Sequence, residues 1–471
     1  MRAGRPLALV LLVAISAACS SHGPTPTTAG TSTSASPSTS RSVPPQSDAQ
    51  EAADAYVWGL PLVVTERTLQ LLAARLPENH LTFQPALSNV TTRTIVSPNT
   101  DTLYAVAPLD LRGEPYVLTL PAIHDRYYSF QLISAYTDSF AYIGTRATGG
   151  RAGRWAITGP GWRGHLPAGV TRLESPTPQL LLLGRFLATG EADVARVHAL
   201  GRDVSLEPLS TTTGSPPAPA PPAFGRPAGT AQSVAAAGIG FFDQLGDALA
   251  INPPTDPAEQ RTLESFSNLG IGPGRHPGTQ VRDPRLRAAL LAGMRIGAGQ
   301  IAAQAGKLSS TIHGWTFNLH IGAYGHDAAL RAAVAETGWG ANVPAEAVYA
   351  HAERDENGTP LNGADRYVVH FARGDLPPVK AFWSVTMYGP DLFFIANPIN
   401  RYAIGSHTPG LRYNPDGSLD IYVQHGAPMG HESNWLPAPA GPFLLIMRLY
   451  LPESSVLEGR YDYPPVEVVR P

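Results

Sequence analysis

The sequence predicts a mainly β chain with helices, an α+β arrangement of two antiparallel β-sandwich or jelly-roll-like domains with a helical segment between them. Three observations predict it. Short aromatic or β-branched runs separated by turn residues fill two blocks, from Thr102 to Leu187 and from Tyr367 to Val469. Between these blocks, residues 231–307 read as largely helical. Residues 211–230 (TTTGSPPAPAPPAFGRPAGT) form a Pro-rich break that reads as an exposed connector.

Taken in order, the chain opens with a processing signal. Arg2 and Arg5 give a positive start, and Leu7 to Ile15 is an apolar run too short to span a bilayer. Ser16-Ala17-Ala18-Cys19 then makes a small-residue box ending in cysteine, which resembles a bacterial lipobox with Cys19 as the lipidated residue. The alternative is an ordinary secretory peptide cut nearby. Residues 20–48 are Ser, Thr, Pro and Gly with almost no hydrophobic residues, a composition expected to form a disordered tether. Such a chain would lie outside the cytoplasm, anchored to the membrane, and its Ala-, Gly-, Pro- and Arg-rich composition suggests a high-G+C bacterial source.

Ala49 to Leu76 reads as a helix, with Gly59-Leu60-Pro61 expected to kink or split it. Strands are expected at Thr102–Ala107, Tyr116–Leu120, Tyr127–Ile133, Phe140–Ile143, Arg154–Thr158 and Leu180–Leu187. Helices are expected at 231–250, 257–268 and 283–306. Strands return at Ile312–Tyr324, a short helix follows at 327–336, and a second β block closes the chain. The expected domains are therefore 49–210 (helix plus sandwich), the connector 211–230, a helical segment 231–340 and a second sandwich 341–471. No repeat of solenoid length is visible.

Composition excludes several functions. The net charge of −3 argues against nucleic acid, which would need a basic face. Cys19 is the only cysteine, so the mature domains hold no disulfide, thiol nucleophile or cysteine metal site. His320 and His326, like His425 and His431, are too far apart for a compact zinc motif. No cofactor motif is identified. A metal held by residues distant in sequence stays open. No GxSxG elbow, SxxK, P-loop or strand-borne GxGxxG is present.

Several motifs, in this order, resemble a bacterial family whose halves carry the domain-of-unknown-function labels 1254 and 1214. In the first half they are Tyr56-Val57-Trp58-Gly59-Leu60-Pro61, Pro98-Asn99-Thr100-Asp101-Thr102-Leu103-Tyr104, Arg126-Tyr127-Tyr128-Ser129-Phe130-Gln131, Tyr136-Thr137-Asp138, Gly159-Pro160-Gly161-Trp162 and Gly184-Arg185. In the second they are Phe382-Trp383-Ser384-Val385-Thr386-Met387-Tyr388, Asn400-Arg401-Tyr402, Asp416-Gly417-Ser418, Asn434-Trp435-Leu436-Pro437 and Arg448-Leu449-Tyr450. The resemblance implies two sandwich-like domains with helices around or between them, and no particular reaction.

The candidate site residues are polar groups isolated in apolar β segments. Asp101 and Asp138 are the candidate acids or bases, and a carboxylate-pair glycosidase would need two such groups. Against this, Asn99 and Asp101 also suit an Asx-turn. Arg126, Tyr128 and Phe130 should share one strand face, and Tyr127, Ser129 and Gln131 the other. Arg126 with Tyr104 and Tyr128 could line a polar cavity, or Arg126 could pair with Asp138. Arg185, Arg401 and Arg448 stand in apolar runs, as anion binders or as buried ion pairs to Asp101, Asp138 or Asp420. Asn434 and Trp435 form a loop that offers either a sugar-stacking platform or a plug. Two functions remain: a hydrolase-like envelope enzyme acting on a polar or anionic small molecule or glycan, and a non-catalytic ligand-binding or envelope-organising lipoprotein.

Overall fold

The computed structural model describes residues 47–93, 97–225 and 234–469. The expected leader, Cys19 and the tether up to residue 46 lie outside the described residues, as does the end of the Pro-rich connector. No helix among the described residues is long and apolar enough to cross a membrane.

The first block folds into β1 (Thr82–Phe83), β2 (Thr102–Asp110), β3 (Tyr116–Leu120), β4 (Tyr128–Ser134), β5 (Ser139–Gly144), β6 (Gly153–Thr158), β7 (Val170–Glu174), β8 (Gln179–Leu187) and β9 (Ser205–Pro208). They form one sheet in the order β1-β2-β8-β4-β5 and a second in the order β7-β6-β3-β9. The leucine run of β8 is buried along its whole length, as suits a central strand covered on both faces. Leu180, Leu182 and Phe186 meet Leu118, Trp155 and Ile157 of the second sheet. Leu181 and Leu183 point the other way, into the helices.

The second block supplies β10 (Ser310–Ile312), β11 (Trp315–Phe317), β12 (Ala347–Ala352), β13 (Tyr367–Phe371), β14 (Val379–Tyr388), β15 (Ala403–Gly405), β16 (Leu419–Gln424), β17 (Trp435–Pro437), β18 (Leu444–Pro452) and β19 (Val466–Val468). Their sheets run β10-β11-β12-β18-β14-β15 and β17-β16-β13-β19. The strand expected over 312–324 ends at Phe317. Beyond it Asn318 accepts the His320 N–H, and Gly322 takes a positive φ that a strand does not use.

The two blocks repeat one topology. The order β2-β8-β4-β5 matches β12-β18-β14-β15, and β7-β6-β3-β9 matches β17-β16-β13-β19. Both copies have one parallel pair in the same place, β6 with β7 and β16 with β17. Even the edge corresponds: Phe83 lies opposite Ala105, and Phe317 opposite Ala350. The duplication spans half the chain, far longer than a solenoid repeat, and its sequence trace is confined to a few strand positions.

Helix Asp48–Ala73 runs unbroken through Pro61. It is buried on every side from Ala55 to Leu69, and this packing outweighs the hydrogen bond that proline removes. Gly293 and Gly297 of helix Pro284–Ala305 face Ala52, Ala53 and Tyr56, which brings the two helix backbones close. Helices Gly240–Ile251 and Ala328–Thr337 complete a cluster that covers Val106, Ile133, Leu181 and Leu183. The rest of that sheet face meets the second block, and the site lies there.

Candidate functional site

The loop Ser97–Asp101 leads into β2. Asn99 accepts the Asp101 N–H at 2.7 Å through its side-chain oxygen and donates to the Tyr450 hydroxyl at 2.8 Å. This Asx-turn aims the Asp101 carboxylate at the other block, where it accepts a 2.6 Å hydrogen bond from Ser384 Oγ. Burial pushes the Asp101 carboxyl up, against the opposing pull of Ser384, Arg448 and His407.

Across the first sheet, Tyr104, Arg185, Ser129 and Gly144 form one rung of directly opposed residues on β2, β8, β4 and β5. Across the facing sheet, Tyr349, Arg448, Ser384 and Gly405 form the same rung on β12, β18, β14 and β15. The two glycines are required alike. A Cβ at Gly144 would strike the backbone of Tyr128 and Ser129, and one at Gly405 that of Trp383 and Ser384. Each arginine donates Nη1 to the residue two beyond its serine: Arg185 to Gln131 at 2.7 Å, Arg448 to Thr386 at 2.8 Å. Each also reaches across to the loop ahead of the other block's rung. Arg448 donates to the Ser97 carbonyl at 3.0 Å, and Arg185 to Asn342 Oδ1 at 3.2 Å.

The acids correspond too. Asp101 precedes β2 as Glu346 precedes β12, and their backbone carbonyls accept from Ala188 and Leu451, each three residues past the rung arginine. Glu346 accepts from the Tyr127 hydroxyl at 2.8 Å, which lies 3.0 Å from Ser129 Oγ, and from Arg146 Nε at 2.6 Å. Each acid thus serves the serine rung of the opposite copy, as in an isologous interface.

The copies differ in what they leave free. Arg448 gains a third partner, the Tyr388 hydroxyl at 2.7 Å, where the first copy has Ile133. Arg185 is 4 % exposed, yet among the described residues only its Nη1 finds hydrogen-bond acceptors, and it makes no ion pair there. Tyr349, Tyr104, Tyr450 and Tyr127 surround it, with the guanidinium over the Tyr104 ring at 5.7 Å. Tyr450 accepts from Asn99, and Tyr349 from Asn342 at 2.8 Å; the hydroxyl protons of Tyr104, Tyr349 and Tyr450 have no acceptor among the described residues. Tyr104 and Tyr349 are half-buried, so the unused donors around the guanidinium suit an acceptor-rich guest. His351, on the same side of β12 as Tyr349, is kept neutral: burial, then the Arg448 charge, lowers it to about 4.

A cleft of about 750 Å³ opens between the blocks with Asp101 in its wall, lined also by Leu187, Phe382, Arg401, Tyr402 and His407. Among the described residues no three His, Cys, Asp or Glu side chains converge as metal ligands.

Of the sequence-expected residues, Asp101, Tyr104, Arg185 and Arg448 come together here. Asp138 does not. Asp101 lies at the Leu187 end of β8 and Asp138 just beyond the Leu180 end, roughly 23 Å apart at about 3.3 Å per residue, too far for a carboxylate pair. Asp138 instead accepts from Tyr324 N at 2.9 Å and faces Arg331 at 3.7 Å. Arg126 pairs with Asp193 at 2.8 Å, not with Asp138, and fastens the start of β4 to helix Glu191–Gly201. Tyr128 points into the sandwich core, stacked on Phe186. The face of β4 turned to the second block is the other one, carrying Tyr127, Ser129 and Gln131. Arg401 lines the cleft while donating to the Glu432, Ser433 and Trp435 carbonyls, and no carboxylate pairs with it among the described residues. Asn434 binds the Arg412 and Asp420 carbonyls, and Trp435 is buried as a plug with its indole N–H on Gln424. Sequence reasoning missed Tyr127, Ser384, Glu346, Tyr349, His351, His407 and Tyr450 as site residues. The parallel between Tyr128-Ser129-Phe130-Gln131 and Trp383-Ser384-Val385-Thr386 was the available signal.

Residues 78–208 match the family model described as "Protein of unknown function (DUF1254)", and residues 346–454 match "Protein of unknown function (DUF1214)". The first span encloses β1 to β9, and the second encloses β12 to β18, which leaves β11 and β19 of the second copy outside it. Among solved structures, the chain is similar to the VPA0106 protein from Vibrio parahaemolyticus, with 24% identity and a TM-score of 0.71 over 90% of this chain and 100% of that one. That likeness shows the shared fold. It is also similar to an uncharacterized protein from Burkholderia cenocepacia, at 15% identity and a TM-score of 0.43 over 90% of this chain and 93% of that one. No curated protein matches the chain.

Proposed function

The chain belongs to the bacterial family that joins DUF1254 and DUF1214 in tandem, and from the interface between its halves we propose that it binds a small organic anion, with the acidic group of the ligand on Arg185. The observation that carries this reading is the buried Arg185 guanidinium. It has no ion pair among the described residues, two of its nitrogens lack acceptors there, and three phenol donors with unused protons stand around it. A carboxylate or phosphate supplies the acceptors and the charge that this group lacks. Native and denaturing mass spectra of the chain beginning at Pro45 test it first, followed by thermal melts with acetate, benzoate and inorganic phosphate. A retained acid, or a rise in Tm that Arg185→Met abolishes, is the expected result. Equal responses from the parent and Arg185→Met, or no retained mass and no response to any of the three anions, would remove the reading.

A second reading adds chemistry. Asp101 borders the cleft, carries a raised carboxyl and holds the Ser384 hydroxyl. That arrangement suits proton exchange with a bound ligand, as in a hydrolase-like enzyme. Turnover of small-acid esters by the parent, lost in Asp101→Asn with benzoate binding kept, would support it. The leader and Cys19 support a place outside the cytoplasm on a lipid anchor. Palmitate labelling that persists in Cys19→Ser would defeat that part.

A further inference from the structure

The duplication permits a comparison within one molecule. Gly144 and Gly405 end equivalent rungs. The residues after them correspond through matching hydrogen bonds: Tyr128 N donates to Thr145 Oγ1 at 3.0 Å, and Trp383 N to Ser406 Oγ at 3.2 Å. One residue further on stand Arg146 in the first copy and His407 in the second, each beside the acid of the opposite copy. Arg146 occupies one oxygen of Glu346 at 2.6 Å while Tyr127 occupies the other, and Glu346 is 1 % exposed. Arg146 also lies over the Tyr142 ring at 5.0 Å, which holds it in place. At the matching position His407 makes no hydrogen bond to Asp101. Its ring lies 6.1 Å from that of Phe382, and both His407 and Asp101 line the cleft. Ser384 takes one Asp101 oxygen, and the other has no partner among the described residues.

We propose that the interface carries two copies of one port, closed at Glu346–Arg146 and open at Asp101–His407, and that small carboxylates reach Arg185 through the open copy, with His407 as its gating side chain. The inference rests on the proposed anion site and names its way in. Arginine closes the first copy because its guanidinium is permanently charged and long enough to stay on the carboxylate. Histidine is shorter, lies tilted beside Phe382 and leaves one Asp101 oxygen without a partner among the described residues, in the wall of the cleft.

Phenylglyoxal, a small arginine-selective dicarbonyl, tests the port independently of any ligand. The folded chain is treated and the adducts are mapped by peptide mass spectrometry. Arg185 is expected to be labelled in the parent and protected by benzoate. Labelling should slow several-fold in His407→Arg, which rebuilds the closed copy's residue at the open port, and stay at the parent rate in His407→Gln. A melt confirms that both variants are folded. Unchanged Arg185 labelling in His407→Arg, or no labelling in the parent while exposed arginines react, overturns the port. Labelling gated as expected but without benzoate protection leaves the port standing and counts against the anion site.

Discussion

His351 gives a quantitative test of how its surroundings in the fold act on it. It occupies the place in β12 that Val106 occupies in β2, so His351→Val copies the side chain the fold already uses in the other half. Above pH 6.5 the imidazole is neutral in both the folded and the unfolded chain and contributes no pH dependence. As the pH falls below 6.5 the unfolded chain takes up a proton that the folded chain refuses until about pH 4. Stability therefore falls with pH across that window. The span from 6.5 to about 4 corresponds to at most about 3 kcal/mol, of which about 2 kcal/mol is already lost at pH 5. Glu66 and Asp101, both raised chiefly by burial, act in the opposite sense, so the parent's own profile mixes signs. The difference between parent and variant isolates the histidine. Urea unfolding at intervals from pH 7.5 to 4.5 should show His351→Val losing less stability than the parent. Parallel profiles would refute a His351 held neutral by its surroundings in the fold.

Other outcomes follow from the rungs. Gly405→Ala should destabilise the chain by about 1–3 kcal/mol, because its Cβ has no room against the Trp383 carbonyl; thermal melts followed by circular dichroism check it. Arg146→Met removes one hydrogen-bond partner of the buried Glu346 carboxylate and should cost about 1–3 kcal/mol, read from urea curves; an unchanged midpoint would contradict the pairing. Asp101→Asn keeps a partner for Ser384 and removes a carboxyl that the fold prefers protonated. It should gain stability over the parent at pH 8 and lose most of that gain towards pH 3, where the carboxyl is largely protonated in both states; equal offsets at the two pH values would contradict the raised carboxyl.

Most strands were legible because runs such as Leu180–Leu187 and Tyr116–Leu120 have one reading in a sandwich. The face of β4 that serves the site was not. Alternation separates Tyr128 and Phe130 from Tyr127, Ser129 and Gln131, but both sets are buried, and period two does not say which one meets a second sheet. Asp101 was legible as a polar group beside a strand start, and Asp138 looked much the same. Only the β8 register shows that the two lie at opposite ends of the sheet. Ser384 read as an ordinary strand residue because its partner, Asp101, comes from the other half of the chain. Pro61 misled for a related reason: helix propensity is local, while the burial that holds this helix straight is not.

Two separate copies of such a sandwich, meeting face to face, would have to build two identical ports. Whatever served one would be imposed on the other. Joining the copies in one chain lifts that constraint. The first can hold the opposite copy's Glu346 beneath Arg146 while two nitrogens of its own Arg185 stay without acceptors among the described residues, and the second can satisfy Arg448 with Tyr388 while leaving one oxygen of the opposite copy's Asp101 open. The interface becomes asymmetric, with an open guanidinium and an open carboxyl that no symmetric dimer could confine to one copy each.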